Sequence, residues 1–266
     1  MNKKGYIKNG KNNIYYVIST PQPQSRIKTA VIFVHAANSN RLGPHRMFVE
    51  LAQRLSRNSI ASMRFDMRGC GDSTGQPAKQ IQNDIEDLLC SINFFNLHYK
   101  PEKILLFGIS SGAKVIFETL AKHNVPADGC ILLSIPHSSG KTALKSFTAR
   151  LKEYLYKFKN PQSLKKILTG KANIMQIFRT LAFALNIRSR YQDNSDQNFT
   201  TTCPLFFIYA AKDPIAAASR HHYTRICKKF AIPNKINVIK NANHSFFHYK
   251  WKEQIFDETE KWIMEN

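Results

Sequence analysis

Residues 103–124 constrain this chain more than any other stretch. An apolar run, Ile104–Phe107, enters Gly108-Ile109-Ser110-Ser111-Gly112, and an amphipathic helical pattern leaves it. A strand that becomes a helix within so few residues must bend sharply, and Ser110 sits at the tip of the bend. Gly108 and Gly112 flank it at two residues on either side, where a side chain would hold strand and helix apart. The helix that follows points its positive end at the serine.

The rest of the chain supplies a sheet for that strand. Asn13–Thr20 is strand-like and is broken by Pro21-Gln22-Pro23. Thr29–His35 is a continuous apolar run, the mark of a parallel strand covered on both faces. A helix is predicted from Gly43-Pro44 to Arg57, then a strand over Ser59–Asp66 that ends in a glycine-rich turn through Gly75. Ile81, Ile85, Leu88, Leu89, Ile92 and Phe95 repeat at helical spacing. Gly129–Ile135, Cys203–Ala211 and Ile236–Lys240 complete the strands, with helices over Ala216–Phe230 and Trp251–Met264. Strands alternating with helices predict an α/β fold with a mostly parallel, doubly wound sheet.

One segment departs from this rhythm. From Ser138 to Thr200 helix-like pieces replace strands, and between Lys141 and Arg190 there are 12 Lys and Arg against one acid, Glu153. The expected organisation is therefore a core over residues 1–137 and 201–266 with an inserted basic helical lid over 138–200. An insert here would cap the C-terminal edge of the sheet, where α/β proteins bind ligands.

Charge and cysteine content narrow the setting. The 266 residues carry a formal net charge of +21, a field that draws anions such as acidic substrates, anionic lipid or nucleic acid. In the insert the basic residues interleave with an aliphatic stripe and no nucleic-acid motif is present, which argues against nucleic acid and leaves anionic lipid as a peripheral contact. The five scattered cysteines form no CxxC pair and read as reduced thiols of a cytoplasmic protein. The N-terminus lacks the apolar core of a secretory signal, and no apolar run is long enough to span a membrane. No metal-ligand spacing occurs, so neither metal nor cofactor is expected.

A serine hydroxyl needs a general base, and the base an orienting carboxylate. Asp213 follows the strand Leu205–Ala210, and His244 follows the last strand in Asn241-Ala242-Asn243-His244. Both then fall at the sheet edge that carries Ser110. His248 lies at the start of the next helix, and His221 and His222 read as exposed helix positions. An oxyanion needs two donors. One is the backbone N–H of Ser111. The other comes from Ala36 or Ala37 after the Val31–Val34 strand, with Ala36 chosen. His35 holds the geometry of that loop, while Asp66, Arg68 and Asp72 read as structural, with Asp66 capping the glycine turn and Arg68 pairing with nearby acceptors.

Three segments carry a family resemblance: Asn40-Arg41-Leu42-Gly43-Pro44-His45-Arg46-Met47-Phe48-Val49, Arg64-Phe65-Asp66-Met67-Arg68-Gly69-Cys70-Gly71-Asp72-Ser73, and the Ser110 turn. Leu164-Lys165-Lys166-Ile167-Leu168-Thr169-Gly170-Lys171 adds to it. With them the chain resembles the serine aminopeptidase-like branch of the α/β-hydrolases, and more narrowly the exosortase-system-associated hydrolases. The resemblance implies an α/β-hydrolase fold with Ser110, Asp213 and His244 as triad. It departs from the family in one place, where Ala36-Ala37 stands for the usual glycine of the oxyanion loop. The expected activity is hydrolysis of a small-molecule acyl ester or thioester, one with an anionic portion, through an acyl-enzyme. An acyltransferase using the same triad, or a catalytically silent basic scaffold binding anionic lipid or nucleic acid, are the alternatives.

Overall fold

The computed structural model describes residues 2–21, 26–137, 199 and 201–266. The chain divides into two compact units, Met1–Pro136 with Ser195–Asn266, and His137–Asn194. The expected lid over 138–200 lies outside the described residues, Phe199 apart.

The first unit is built on eight strands: β1 (Asn2–Asn9), β2 (Asn12–Ser19), β3 (Thr29–Val34), β4 (Ala61–Phe65), β5 (Lys103–Ile109), β6 (Gly129–Leu133), β7 (Leu205–Ala210) and β8 (Asn234–Ile239). They form one sheet in the order β1-β2-β4-β3-β5-β6-β7-β8. From β4 to β8 every pairing is parallel, while β1–β2 and β2–β4 are antiparallel. Every residue of β4, β6 and β7 is buried. The unbroken apolar runs of β6 and β7 follow from helices covering both faces of the sheet, while β4 also buries Ser62 and Arg64.

The helices are α1 (Met47–Arg57), α2 (Ile81–Tyr99), α3 (Ser111–Lys122), α4 (Ala216–Lys229) and α5 (Tyr249–Glu265), with a short 3₁₀ turn at Pro44–Arg46. Met47, Phe48, Leu51 and Leu55 of α1 share one apolar cluster with Ile255, Phe256 and Trp262 of α5, against Phe33, Phe107, Ile131 and Phe206 of the sheet. On α3, Phe117 meets Tyr223 of α4 edge to face, with ring centroids 4.7 Å apart.

The structure differs from expectation at two places in the fold. The N-terminal residues, read from sequence only as charged, form β1, an edge strand whose Lys3, Lys4 and Lys8 discourage further pairing. His222, expected to be exposed, is buried beside Tyr223 because that face of α4 carries the packing. All five cysteines are free, and the Cys130 and Cys203 sulfurs lie 3.6 Å apart in the interior. Among the described residues no helix is long and apolar enough to cross a membrane.

Candidate active site

The site begins with the strain at Ser110. Its φ of 54° and ψ of −125° fall outside the helical and extended regions, as a turn directly between β5 and α3 demands. The turn is held on both sides: Ser110 N–H donates to Leu133 O at 2.8 Å, and Lys114 N–H donates to Ser110 O at 3.1 Å. The flanking glycines are required by contact. A Cβ on Gly108 would sit 2.8 Å from Ala113 N, and one on Gly112 would sit 2.3 Å from Val34 O and 2.5 Å from His35 O. Gly112 is thus the point where the first turn of α3 rests against the end of β3.

Because β3, β5, β7 and β8 run the same way, the loops that follow them open on one edge. That edge brings Ser110, Asp213 and His244 together. His244 Nε2 lies 2.9 Å from Ser110 Oγ, and His244 Nδ1 lies 2.6 Å from Asp213 Oδ2. A carboxylate accepts, so Nδ1 carries the proton and Nε2 presents its lone pair to the serine hydroxyl. Asp213 is itself oriented, because Ile215 N–H donates to its other oxygen at 3.2 Å. Lys212 N–H donates to Ala242 O at 2.8 Å and ties the Asp213 loop to the His244 loop. His248 is not part of this chain of bonds; it caps the N-terminus of α5, where its ring accepts from Lys250 N–H.

The β3–α1 loop lies alongside. Ala37 N–H donates to Ser111 Oγ at 2.7 Å, so that donor is engaged. The N–H groups of Ala36 and Ser111 donate to no acceptor among the described residues. Ser111 therefore has a side-chain function not read from the sequence: its hydroxyl clamps the loop after β3 to the start of α3. The only signal for it was a second polar residue at the first helical position, which by itself says nothing about a partner 74 positions away.

His35 is fully buried and bridges two segments. Its Nδ1–H donates to Ala36 O at 2.7 Å, and its Nε2 accepts from Met67 N–H at 2.9 Å. Both bonds require the neutral ring, and burial pushes its pKa below the usual histidine value. Asp66 is equally buried and accepts from the N–H groups of Arg41 and Asp72 as well as from the Arg41 guanidinium. Arg68 pairs with Asp87 and Glu86. These charges hold loops and do not face Ser110's hydrogen-bond chain. Among the described residues no group of three or more His, Cys, Asp or Glu could hold a metal ion.

Comparison with known proteins agrees with this architecture. The family described as serine aminopeptidase, S33 matches residues 25–249. The chain belongs to this family and is a serine hydrolase of the α/β-hydrolase type. No curated protein matches it significantly in sequence. Among solved structures, an esterase from Pyrococcus furiosus superposes with a TM-score of 0.74 at 18% identity, covering 100% of this chain and 91% of that one. A thermostable carboxyl esterase from Bacillus coagulans superposes at 0.69 with 14% identity, covering 98% and 97%. Est1E from Butyrivibrio proteoclasticus, solved with bound ferulic acid, does so at 0.68 with 14% identity, covering 98% of each chain. At such identities these likenesses establish the fold.

Proposed function

We propose that the protein hydrolyses a carboxylic ester or thioester through an acyl-enzyme formed on Ser110. The observation that carries this reading is the continuous hydrogen-bond chain from Ser110 Oγ through His244 to Asp213. His244 Nε2 takes the hydroxyl proton as Ser110 Oγ attacks the carbonyl, and the imidazolium then protonates the leaving group. In the second half His244 deprotonates water, which attacks the acyl-enzyme and frees Ser110. Asp213 keeps Nδ1 protonated and stabilises the imidazolium.

The carbonyl oxygen becomes an oxyanion in each half. The N–H groups of Ala36 and Ser111, free of other acceptors, are its donors in this reading, and Ala37 is excluded because Ser111 Oγ holds its N–H. Alanine serves in place of glycine, since a backbone donor needs no particular side chain.

In the same reading the basic segment 138–200 selects acyl substrates with an anionic portion. Raised salt then increases KM for anionic esters far more than for neutral ones, and equal effects on both refute that part. The reaction itself is tested with p-nitrophenyl esters and acyl thioesters. A pre-steady-state burst of one equivalent of released alcohol or thiol, abolished in Ser110→Ala, is the expected result. Turnover that survives in Ser110→Ala would overturn the assignment.

A further inference from the structure

Arg64 is a buried charge without a partner. It lies on β4 and is 6% exposed. Its Nε is out of reach of solvent and bonds nothing, and its guanidinium makes no hydrogen bond or ion pair among the described residues. A buried donor left without an acceptor is destabilising, so an acceptor brought to Arg64 would be favoured. Asp66 and Asp72 are held by Arg41, and Glu50 by Lys252.

The register shows where the side chain goes. Arg64 stands beside Phe33 of β3, and in-register neighbours on parallel strands point to the same face. Phe33 stacks 5.0 Å from Phe48 of α1, so Arg64 points toward the N-terminal end of that helix. No side chain caps this terminus, whose first two N–H groups donate to backbone carbonyls (Met47 to Pro44 O, Phe48 to Leu42 O), and its flanking residue, Arg46, is exposed and without an ion pair among the described residues. The field at Arg64 agrees: burial lowers its pKa first, Arg41 and Arg46 repel it next, and Asp66 is the one opposing charge. Arg64 and Arg46 thus lie at the same end of an 11-residue helix, whose dipole adds to their positive field.

We infer that Arg64 and Arg46, at the N-terminal end of α1, form a subsite for an oxyanion group, a carboxylate or a phosphate. Arginine offers several N–H donors in a planar fork that fits either group. The subsite adjoins the loop that follows β3 and carries Ala36. It lies two strands from the strand of Ser110, about 10 Å across the sheet at ordinary strand spacing. A substrate whose ester stands at Ser110 and whose charged end is about six methylenes away would reach it, and so would a free phosphate ion.

Binding and source are tested separately. The full chain carrying Ser110→Ala is titrated with inorganic phosphate at constant ionic strength, by calorimetry and by thermal melting. Saturable binding is expected, weakened at least about tenfold by Arg64→Met and by Arg46→Asn, as fits loss of a charge-assisted contact. Arg46 is exposed and its backbone is left-handed, which asparagine tolerates, so this variant remains informative if Arg64→Met does not fold. Phosphate affinity unchanged in both variants, or no saturable binding, overturns the proposal. The source is read in the active protein, in an arm that rests on the ester-hydrolase reading. If the substrate supplies the anion, Arg64→Met raises KM for p-nitrophenyl hydrogen suberate about tenfold more than it raises KM for p-nitrophenyl acetate, and phosphate competes only with the former. If both esters are unaffected while Arg64-dependent phosphate binding persists, the site belongs to a free ion. Binding does not depend on Ser110 chemistry, so failure of the catalytic reading and failure of the subsite remain distinguishable.

Discussion

Adding one methyl group at Gly112 is expected to damage catalysis more than stability. The Cβ of Gly112→Ala would stand 2.3 Å from Val34 O and 2.5 Å from His35 O. Real Cβ contacts essentially never fall below 3.0 Å, so α3 and the end of β3 must part by at least 0.7 Å. Neither neighbour can yield alone. Val34 O belongs to a fully buried strand residue, and His35 is fixed by its bonds to Ala36 and Met67. Overpacking of this kind costs about 1–3 kcal/mol of stability. For a chain of this size that is a fall in Tm of several degrees. The displaced parts, however, carry the two oxyanion donors, Ser111 N–H on α3 and Ala36 N–H after β3. A shift approaching 1 Å at reacting groups is worth about 10²-fold in rate. The assay is kcat and KM on a neutral p-nitrophenyl ester beside the Tm of the same preparation. A kcat within about threefold of native, with Tm unchanged, would refute the argument that this contact sets the donor spacing.

Other substitutions separate the roles of the neighbouring groups. Ser111→Ala removes the acceptor for Ala37 N–H, at a cost of about 1–2 kcal/mol, and should lower kcat about tenfold with KM little changed; a pure KM effect would contradict the clamp. Asp213→Asn should lower kcat by about 10⁴-fold with the fold intact by circular dichroism, because the amide can donate to Nδ1 and so select the tautomer whose Nε2 is protonated and cannot take the serine proton; a drop below about tenfold would mean that His244 is oriented by something else. His35 gives a pH prediction. Its native pKa is depressed, so below about pH 6.5 the unfolded chain binds a proton that the native state refuses. Its contribution is fully present above that pH and is lost on acidification, at up to about 1.4 kcal/mol per pH unit. Urea unfolding of the native protein and His35→Gln across this range should show a shallower acid slope in the variant, and identical slopes would exclude the effect.

The parts of the site set by chain order could be read from the sequence. Ser110 and Asp213 each follow an apolar run and His244 follows the mixed strand Asn234–Ile239, and parallel strands must bring such positions to one edge. The glycines at 108 and 112 were legible too, because a strand-to-helix bend leaves no room for side chains there. Residues whose role depends on tertiary approach were not legible. The Ser111 hydroxyl matters because the loop after β3 settles against α3, and the Arg41–Asp66 pair because a loop and a strand end meet. β1 escaped notice because its lysines hide the alternation of an edge strand, and its identity comes from its pairing with β2. His222 is buried for the same kind of reason: α4 turns that face toward α3, and its own periodicity is too weak to announce it.

The most direct test of the central claim, that Ser110 is an activated nucleophile, is labelling with a fluorophosphonate followed by peptide mapping of the native protein and of Ser110→Ala. The account predicts a single covalent adduct on Ser110, absent from the variant. A folded native protein that takes no label, or takes it at another serine, would contradict it.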